Sequence, residues 1–272
     1  MTTHDRAVLF VDILGFAKLT EEHELDLEAI KLSQNPLSGG IDQLLAADRN
    51  PLTRAFTSFH HTLKWAIEIA QIEHTLTAIT FSDSAFIATT KLSESVSVAT
   101  YILQSLLLAS VPARASIAYG SFSAVRFRSD VSMEGGDHSA HFLGTGVVRS
   151  CAAESCGIKG LRILLHPSAV ALLDNQDHRP SNGQKIGYVA CSPEESANAL
   201  GVQFEIDYWR FKPTAESKAW HALQDMWSIA PQVEHRHYEA TAQAINRMRI
   251  SQGEQPLTNL RRRTLPRRKM QG

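Results

Sequence analysis

The sequence predicts an α+β protein in which short strands and helices alternate around one sheet. The first observation is a β-rich apolar run at 7–12, followed by a helical pattern. The second is a pair of short strand patterns at 76–90 that are split by Ser82-Asp83-Ser84, which is typical of a hairpin turn. The third is the return of a helix and a strand pattern across 93–119. The resulting order βαββαβ is that of a ferredoxin-like core.

The first strand carries the residue on which the functional prediction depends. Its apolar residues run directly into Asp12, and Gly15 follows three positions later. A short apolar run of this kind is typical of a buried strand. Open sheets that are covered by helices bind ligands at the carboxyl ends of their strands, because polar groups leave the core there. A helix is predicted from Gly15 towards Ile30.

An insertion and a long helix are predicted to separate the first helix from the hairpin. Residues 33–53 are rich in proline and glycine and indicate a loop-rich insertion with a short helix at 41–47. Residues 52–71 place Phe56 and Phe59 at helical spacing. Aromatic residues at this spacing are more often core residues than a surface on which a base stacks.

The hairpin and the unit that follows it complete the predicted core. Strands at 76–81 and 85–90 place Asp83 in the turn. Ser93 is a suitable N-cap for a helix that extends to about residue 109, and a strand is predicted at 113–119.

Further elements and three segments are predicted downstream. The elements are a hairpin arm and its tip at 121–140, a helix at 144–155, a strand at 161–165, a short helix at 167–173, strands at 184–191 and 204–209, and helices from 215 and at 238–250. The segments are a main domain at 1–210 that contains the insertion at 33–53, a C-terminal helical extension at 211–256, and a basic disordered tail at 257–272.

Composition restricts the class of protein. With 272 residues, 43% of them apolar, the chain is long enough and apolar enough for a substantial core. A net charge of −1 gives no global field that would attract nucleic acid or a membrane surface. The three cysteines form no paired pattern, and the N-terminus carries no apolar signal region. We expect a cytoplasmic protein with neither a nucleic-acid nor a membrane partner.

Two aspartates are predicted to form a metal site. In the predicted topology the first strand and the hairpin are neighbours, so Asp12 and Asp83 converge. Either residue alone has an ordinary explanation, since Asp12 could cap a helix and Asp83 could be a turn residue. Two adjacent carboxylates repel each other unless a cation lies between them, and Mg²⁺ favours carboxylate and phosphate oxygens.

These segments resemble the motifs of class III nucleotidyl cyclases. Val8–Phe16 resembles their first metal motif, and Phe81–Ser84 resembles their second. Ala118-Tyr119-Gly120 is similar to their fourth-strand motif, and Gly144–Glu154 is similar to the helix after their dimerisation arm. The resemblance implies that residues 1–210 form a cyclase catalytic domain.

The departures from the family pattern concern the base and the transition state. Ile79 stands where purine cyclases carry a lysine, and His141 stands in place of their base-reading aspartate. Val148 and Ala152 replace the asparagine and the arginine that steady the transition state. Because both metal aspartates remain, the combination resembles the pyrimidine cyclases of bacterial anti-phage signalling (Pycsar), which produce cyclic UMP or cyclic CMP. Uracil is expected, because relatives more often use it.

The resemblance implies a reaction in which the ribose 3′-hydroxyl of UTP or CTP attacks the α-phosphorus and pyrophosphate leaves. Two Mg²⁺ or Mn²⁺ ions per site would be held by Asp12, Asp83 and the carbonyl of Ile13. The family also implies a homodimer with shared active sites and a separate effector protein that senses the cyclic nucleotide.

Several residues are expected to contact the phosphates. The backbone amides of Ile13, Leu14, Gly15 and Phe16 precede a helix and would cradle them. Lys159 would meet the triphosphate, although a solvated loop lysine is also expected in such a position. Arg114 is preferred to Arg149 as the replacement for the missing arginine, and a structural ion pair is an equal alternative for Arg114.

Other interpretations remain open. The chain could be a purine cyclase with unusual base contacts, or an inactive cyclase-like domain that senses a nucleotide or binds a partner. A zinc site at Asp137, His138 and His141 is not expected, because no nearby cysteine completes four ligands.

Overall fold

The computed structural model describes residues 4–27, 50–128, 138–180 and 185–261. The strands are β1 (His4–Ile13), β2 (Leu76–Thr80), β3 (Ser84–Thr89), β4 (Ala113–Arg128), β5 (His138–Leu143), β6 (Ile163–Leu165), β7 (Tyr188–Ala190) and β8 (Phe204–Ile206). The helices are α1 (Phe16–Glu22), α2 (Pro51–Glu73), α3 (Leu92–Leu108), α4 (Thr145–Glu154), α5 (Pro167–Val170), α6 (Pro193–Ser196), α7 (Pro213–Ile229) and α8 (His235–Ser251).

The sheet confirms the predicted α+β fold and its ferredoxin-like core. Its strand order is β2-β3-β1-β4-β6-β8-β7, and β5 pairs with β4 outside this path. The first four strands in this order are mutually antiparallel, which is the arrangement of a βαββαβ unit. The sheet continues beyond this core through β6, which pairs with β4 in parallel.

The side chains along β1 point alternately to the two faces of the sheet. Leu9, Val11 and Ile13 lie in the main hydrophobic core. Val8 and Phe10, which point the other way, belong to a second apolar cluster on the opposite face of the sheet. Asp12 follows Phe10 by two positions, so it lies on the face of this second cluster.

Helices α2 and α3 cover the main-core face. Phe59 of α2 and Ile102 of α3 are fully buried there, which confirms that Phe59 is a core residue, and Phe56 packs against the same core. The side chain of Asn50 accepts hydrogen bonds from the N–H groups of Leu52 and Thr53, which fixes the start of α2.

Helix α1 is shorter than predicted. It ends at Glu22 rather than near Ile30, and the chain that follows is tied to the start of α2. The N–H of Asp26 donates to the Thr53 hydroxyl at 3.0 Å, and Asn50 donates to the carbonyl of Glu24. These tertiary hydrogen bonds replace the helical ones. Residues 28–49, which hold most of the predicted insertion at 33–53, lie outside the described part of the chain.

The C-terminal helices share the core of the sheet. Leu223 of α7 and Ile245 of α8 are fully buried in the cluster that contains β1. The predicted start of a disordered tail at 257 is wrong at its first residues. Leu257 and Leu260 pack against this core, and the Leu257 N–H donates to Asn246 Oδ1 at 2.7 Å. Residues 262–272 lie outside the described part.

Other boundaries also differ from the prediction. β4 continues to Arg128, because β5 pairs with its distal half. Within the described residues, the strands predicted at 184–191 and 204–209 are observed at 188–190 and 204–206, where they pair with each other. Within the described residues, no helix has the length and apolarity needed to span a membrane.

Candidate active site

The end of β1 brings Asp12 beside the hairpin turn. Asp12 pairs with Ser84 of β3 on one side and with Arg114 of β4 on the other. The N–H of Ile13 donates to the carbonyl oxygen of Asp83 at 2.9 Å. The two predicted aspartates therefore occupy neighbouring positions at one edge of the sheet.

The turn that carries Asp83 is held in place from two sides. The N–H of Phe81 donates to the carbonyl of Ser84 at 2.8 Å and closes the turn. The Ser82 hydroxyl donates to Asp83 Oδ1 at 3.3 Å. From α2, His60 Nε2 lies 3.2 Å from the carbonyl oxygen of Ser82, and burial lowers the pKa of this histidine. A neutral His60 with its proton on Nε2 is thus a donor that positions the turn.

The electrostatic environment of Asp12 is unfavourable to its ionised form. Burial, followed by the carboxylates of Glu154 and Asp83, raises the pKa of Asp12 from 3.8 to about 7, against the opposing effect of Arg114. A carboxyl group with these neighbours is stabilised in its charged form by an added cation.

The donor set fits a hard divalent cation. Asp12 and Asp83 are both half-buried, and together with the Ile13 carbonyl they offer only oxygen ligands, which suit Mg²⁺ or Mn²⁺. Among the described residues, no group of three or more histidine, cysteine, aspartate or glutamate side chains gathers around one point. The remaining ligands would therefore have to come from water and a bound phosphate.

Arg114 forms the ion pair that the sequence analysis left open. Its Nε donates to Glu154 Oε1 at 2.6 Å, its Nη2 contacts the same oxygen, and its Nη1 donates to the carbonyl of Ile158 at 2.8 Å. Glu154 was not predicted as a site residue. It stands forty positions from Arg114, so only the packing of α4 against β4 brings them together. Arg149, the other candidate, donates to the carbonyl of Tyr119 at 2.9 Å.

In the loop between β1 and α1, two of the four amides that were predicted to bind phosphate already have hydrogen-bond partners. Gly15 has φ = +78° and is the N-cap of α1, a conformation that favours glycine. The amides of Ile13 and Leu14 already donate to the carbonyls of Asp83 and Pro112. The predicted phosphate contacts of this loop are therefore narrowed to the amides of Gly15 and Phe16.

Lys159 lies in the loop between α4 and β6, on the side of the site where Arg114 is anchored. The Lys159 carbonyl accepts a hydrogen bond from Arg162 Nη1 at 3.2 Å. Burial lowers the pKa of His237 in α8, and the charges of Lys159 and Arg114 contribute to this lowering. Sequence reasoning missed His237, which lies outside the segment that resembles the cyclases.

Ile79, one of the positions that depart from the cyclase pattern, lies on the face that carries Asp12. Ile79 packs with Phe10, Phe86 and Phe142. Val148 of α4 is 69% exposed, so this apolar side chain stands open to solvent where the family carries an asparagine. Residue 137 and the side chains of His138 and His141 lie outside what the structure describes.

Solved structures with a similar fold include nucleotide cyclase domains. The guanylyl cyclase Cya2 is 11% identical, with a TM-score of 0.44 over 76% of this chain and 93% of that chain. A non-canonical dimeric guanylyl cyclase domain of the RhoGC fusion protein from the aquatic fungus Blastocladiella emersonii is 12% identical, with a TM-score of 0.47 over 75% and 97% of the two chains. An adenylate cyclase from Trypanosoma brucei, in its monomeric state, is 14% identical, with a TM-score of 0.44 over 75% and 88%.

No protein-family model and no curated protein matches the chain. At these identities, and with TM-scores below 0.5, the likenesses carry no argument about this chain. The description of the fold therefore rests on the strand order and register of this chain itself.

Proposed function

We propose that this protein is a nucleotidyl cyclase that converts a nucleoside triphosphate to a 3′,5′-cyclic nucleotide and pyrophosphate. One observation carries the proposal. Asp12 and Asp83 occupy neighbouring positions at the end of β1, where burial, Glu154 and Asp83 together raise the pKa of Asp12 to about 7. A bound cation would offset the repulsion between these carboxylates, so a cation site explains why they lie together.

The reaction transfers no electrons and needs no other reactant. The substrate's 3′-oxygen forms a bond to the α-phosphorus, the bond from that phosphorus to the bridging oxygen breaks, and the hydroxyl proton passes to water. When bound, divalent ions supply a lowered hydroxyl pKa and charge neutralisation at the leaving pyrophosphate. Asp12, Asp83 and the Ile13 carbonyl would hold those ions.

The other residues of the site bind and orient the phosphates. The amides of Gly15 and Phe16 point their partial positive charge at the phosphates. Lys159 supplies a full positive charge from the opposite loop. Arg114 is the proposed replacement for the missing transition-state arginine, because it lies directly across from Asp12 in the sheet, and it must exchange Glu154 for a phosphate oxygen to act.

The finer proposal is a pyrimidine nucleotide as substrate, UTP before CTP. Its support is the resemblance to the Pycsar cyclases together with the apolar residues Ile79 and Val148 at positions where purine cyclases carry polar groups. The same resemblance supports a homodimer with shared sites and a role in anti-phage defence through a separate effector that senses the cyclic nucleotide.

A product assay tests the reaction and the base together. The purified protein is incubated with Mn²⁺ and ATP, GTP, CTP or UTP, and the products are separated by chromatography. Cyclic UMP is the expected product. Cyclic AMP or cyclic GMP would support the purine alternative, and no product from any nucleotide would contradict the cyclase proposal.

Matched variants connect the activity to the site. Asp12→Ala and Asp83→Ala should each reduce turnover to background, because each removes one of the two carboxylate ligands of the proposed metal site. Asp5→Ala is the control, since Asp5 lies on the same strand but is exposed at its far end. If turnover survived both site changes, the activity would have to reside elsewhere.

A further inference from the structure

A cavity of about 450 Å³ lies where β7, the end of β8 and the end of α8 come together. Its lining includes two cations, Lys185 and Arg210, and one exposed aromatic ring, that of Tyr188. Strand β7 is the last strand of the sheet, four places from β1 in the strand order. At the usual spacing of neighbouring strands this is about 19 Å across the sheet from β1. The cavity is therefore separate from the aspartate pair, and its volume is that of a small-molecule site.

Arg210 is oriented by a buried carboxylate in the wall of this cavity. Its Nε donates to Asp207 Oδ2 at 3.1 Å, and Gln252, the residue after α8, donates to the same oxygen at 2.7 Å. The Asp207 side chain is only 1% exposed. Its Oδ1 is buried and has no hydrogen-bond partner among the described residues. A buried carboxylate that is only half satisfied depends on its paired cation, so Arg210 is held beside it.

The remaining donors of the Arg210 guanidinium are unused. Within the described chain its two Nη groups have no hydrogen-bond partner, and the side chain is 58% exposed. The guanidinium lies directly against Gly187, where an added Cβ would be 2.5 Å from Nη2. Glycine at 187 thus leaves the space that the guanidinium occupies. An arginine fixed through Nε, with its Nη groups unpaired, is arranged to donate two hydrogen bonds to one oxyanion.

The charge and the aromatic lining of the cavity favour an anion that carries a ring. Lys185 adds a second positive charge, so the lining holds two cations against the single carboxylate of Asp207. The end of α8 is the negative end of a helix dipole, but carbonyls of its last turn already accept hydrogen bonds from the turn that follows. The Tyr188 ring is 41% exposed and contacts Phe204 edge-on, with 5.5 Å between the ring centroids. Its exposed surface is available to a planar group.

We propose that this cavity binds a small aromatic oxyanion, which is a phosphate monoester or a carboxylate joined to a planar ring. The oxyanion accepts hydrogen bonds from the Nη groups of Arg210 and pairs with Lys185, while the ring lies against Tyr188. Asp207 is a positioning residue, because it holds Arg210 without touching the ligand. The site is independent of the cyclase proposal, since it uses neither aspartate of the pair.

Titration calorimetry on the full chain in metal-free buffer tests the site with three probes, phenyl phosphate, benzoate and inorganic phosphate. Without divalent ions, a metal-dependent phosphate site does not contribute to the signal. We expect phenyl phosphate to bind at one site per chain, and inorganic phosphate to bind more weakly because it has no ring. Tighter binding of benzoate than of phenyl phosphate would identify the oxyanion as a carboxylate, and the reverse order would identify it as a phosphate.

Two substitutions move or remove the Nη donors without changing the net charge. Arg210→Lys keeps the charge but lacks the paired donors, and Gly187→Ala keeps the arginine but displaces its guanidinium. Each should weaken the binding of phenyl phosphate about tenfold, which is the effect of one hydrogen bond to a charged group. The control Arg236→Lys, at an exposed arginine of α8, should bind as the wild type does. Tyr188→Leu should weaken the binding of phenyl phosphate and leave that of inorganic phosphate unchanged.

Three outcomes would overturn the inference: no binding of any probe by the wild type at millimolar concentration, wild-type affinity in both Arg210→Lys and Gly187→Ala, or an equal loss in Arg236→Lys. The last result would indicate attraction by surface charge in general. Gly187→Ala displaces only the end of a flexible side chain, and Arg210→Lys decides the matter if circular dichroism shows that Gly187→Ala does not fold. A protein that cyclises nucleotides but binds none of the probes would retain the proposed function and lose this site.

Discussion

Replacing Asp12 with asparagine should stabilise the metal-free protein at alkaline pH while it abolishes activity. Burial, together with Glu154 and Asp83, raises the pKa of Asp12 from 3.8 to about 7 in the folded state. Between these pH values the folded protein binds a proton that the unfolded chain has lost. The free energy of unfolding therefore falls as the pH rises through this window. Asparagine carries no charge, so Asp12→Asn avoids that loss.

The magnitude follows from the size of the pKa shift. At about 1.36 kcal/mol per pH unit, the whole shift corresponds to about 4 kcal/mol. Asp12 is only half-buried, so solvent screening reduces the effect, and we expect a gain of about 2 kcal/mol at pH 8. Near pH 4 the wild type and Asp12→Asn should be almost equally stable, because Asp12 is protonated in the folded protein.

Urea denaturation at pH 5 and pH 8, without divalent ions, measures this difference. Asp5→Asn on the same strand is the control and should change stability by less than about 0.5 kcal/mol. Adding Mn²⁺ at pH 8 should stabilise the wild type more than the variant and so narrow the gap. The reasoning is refuted if Asp12→Asn is no more stable than the wild type at pH 8, or if its advantage is larger at pH 5.

Stability and assembly measurements test the rest of the structure. In urea denaturation, Glu205→Gln should lower the free energy of unfolding by about 3 kcal/mol, because this fully buried carboxylate is paired with Arg162. The control Glu254→Gln should lower it by less than about 0.5 kcal/mol, because Glu254 is the half-exposed partner of Arg249. Gly120→Ala should cost about 1–3 kcal/mol in thermal unfolding, since its Cβ would lie 2.9 Å from the backbone nitrogen of Gly146, and equal stability would contradict this close packing. Sedimentation should give twice the 30.1 kDa mass of one chain, and a fully active monomer would contradict shared sites.

Local patterns in the sequence were sufficient to predict the core and its two aspartates. A buried strand that ends in Asp12 and a hairpin turn that holds Asp83 follow from hydrophobic periodicity and turn chemistry, which involve residues close together in the chain. Once the order of elements is βαββαβ, the topology makes β1 and β3 neighbours. The meeting of the two residues followed from that order, and the register between Asp12 and Ser84 agrees with it.

The tertiary structure alone decided how the charged groups around this pair are arranged. Arg114 is paired with Glu154, and His60 of α2 is hydrogen-bonded to the turn that carries Asp83. His237 of the C-terminal extension lies near enough to Lys159 and Arg114 for their charges to lower its pKa. Periodicity shows which face of a helix is buried, but it carries no information about which distant element packs against that face. Partners that stand twenty or more positions apart meet through the packing of whole helices against the sheet, and that packing exists only in the folded chain.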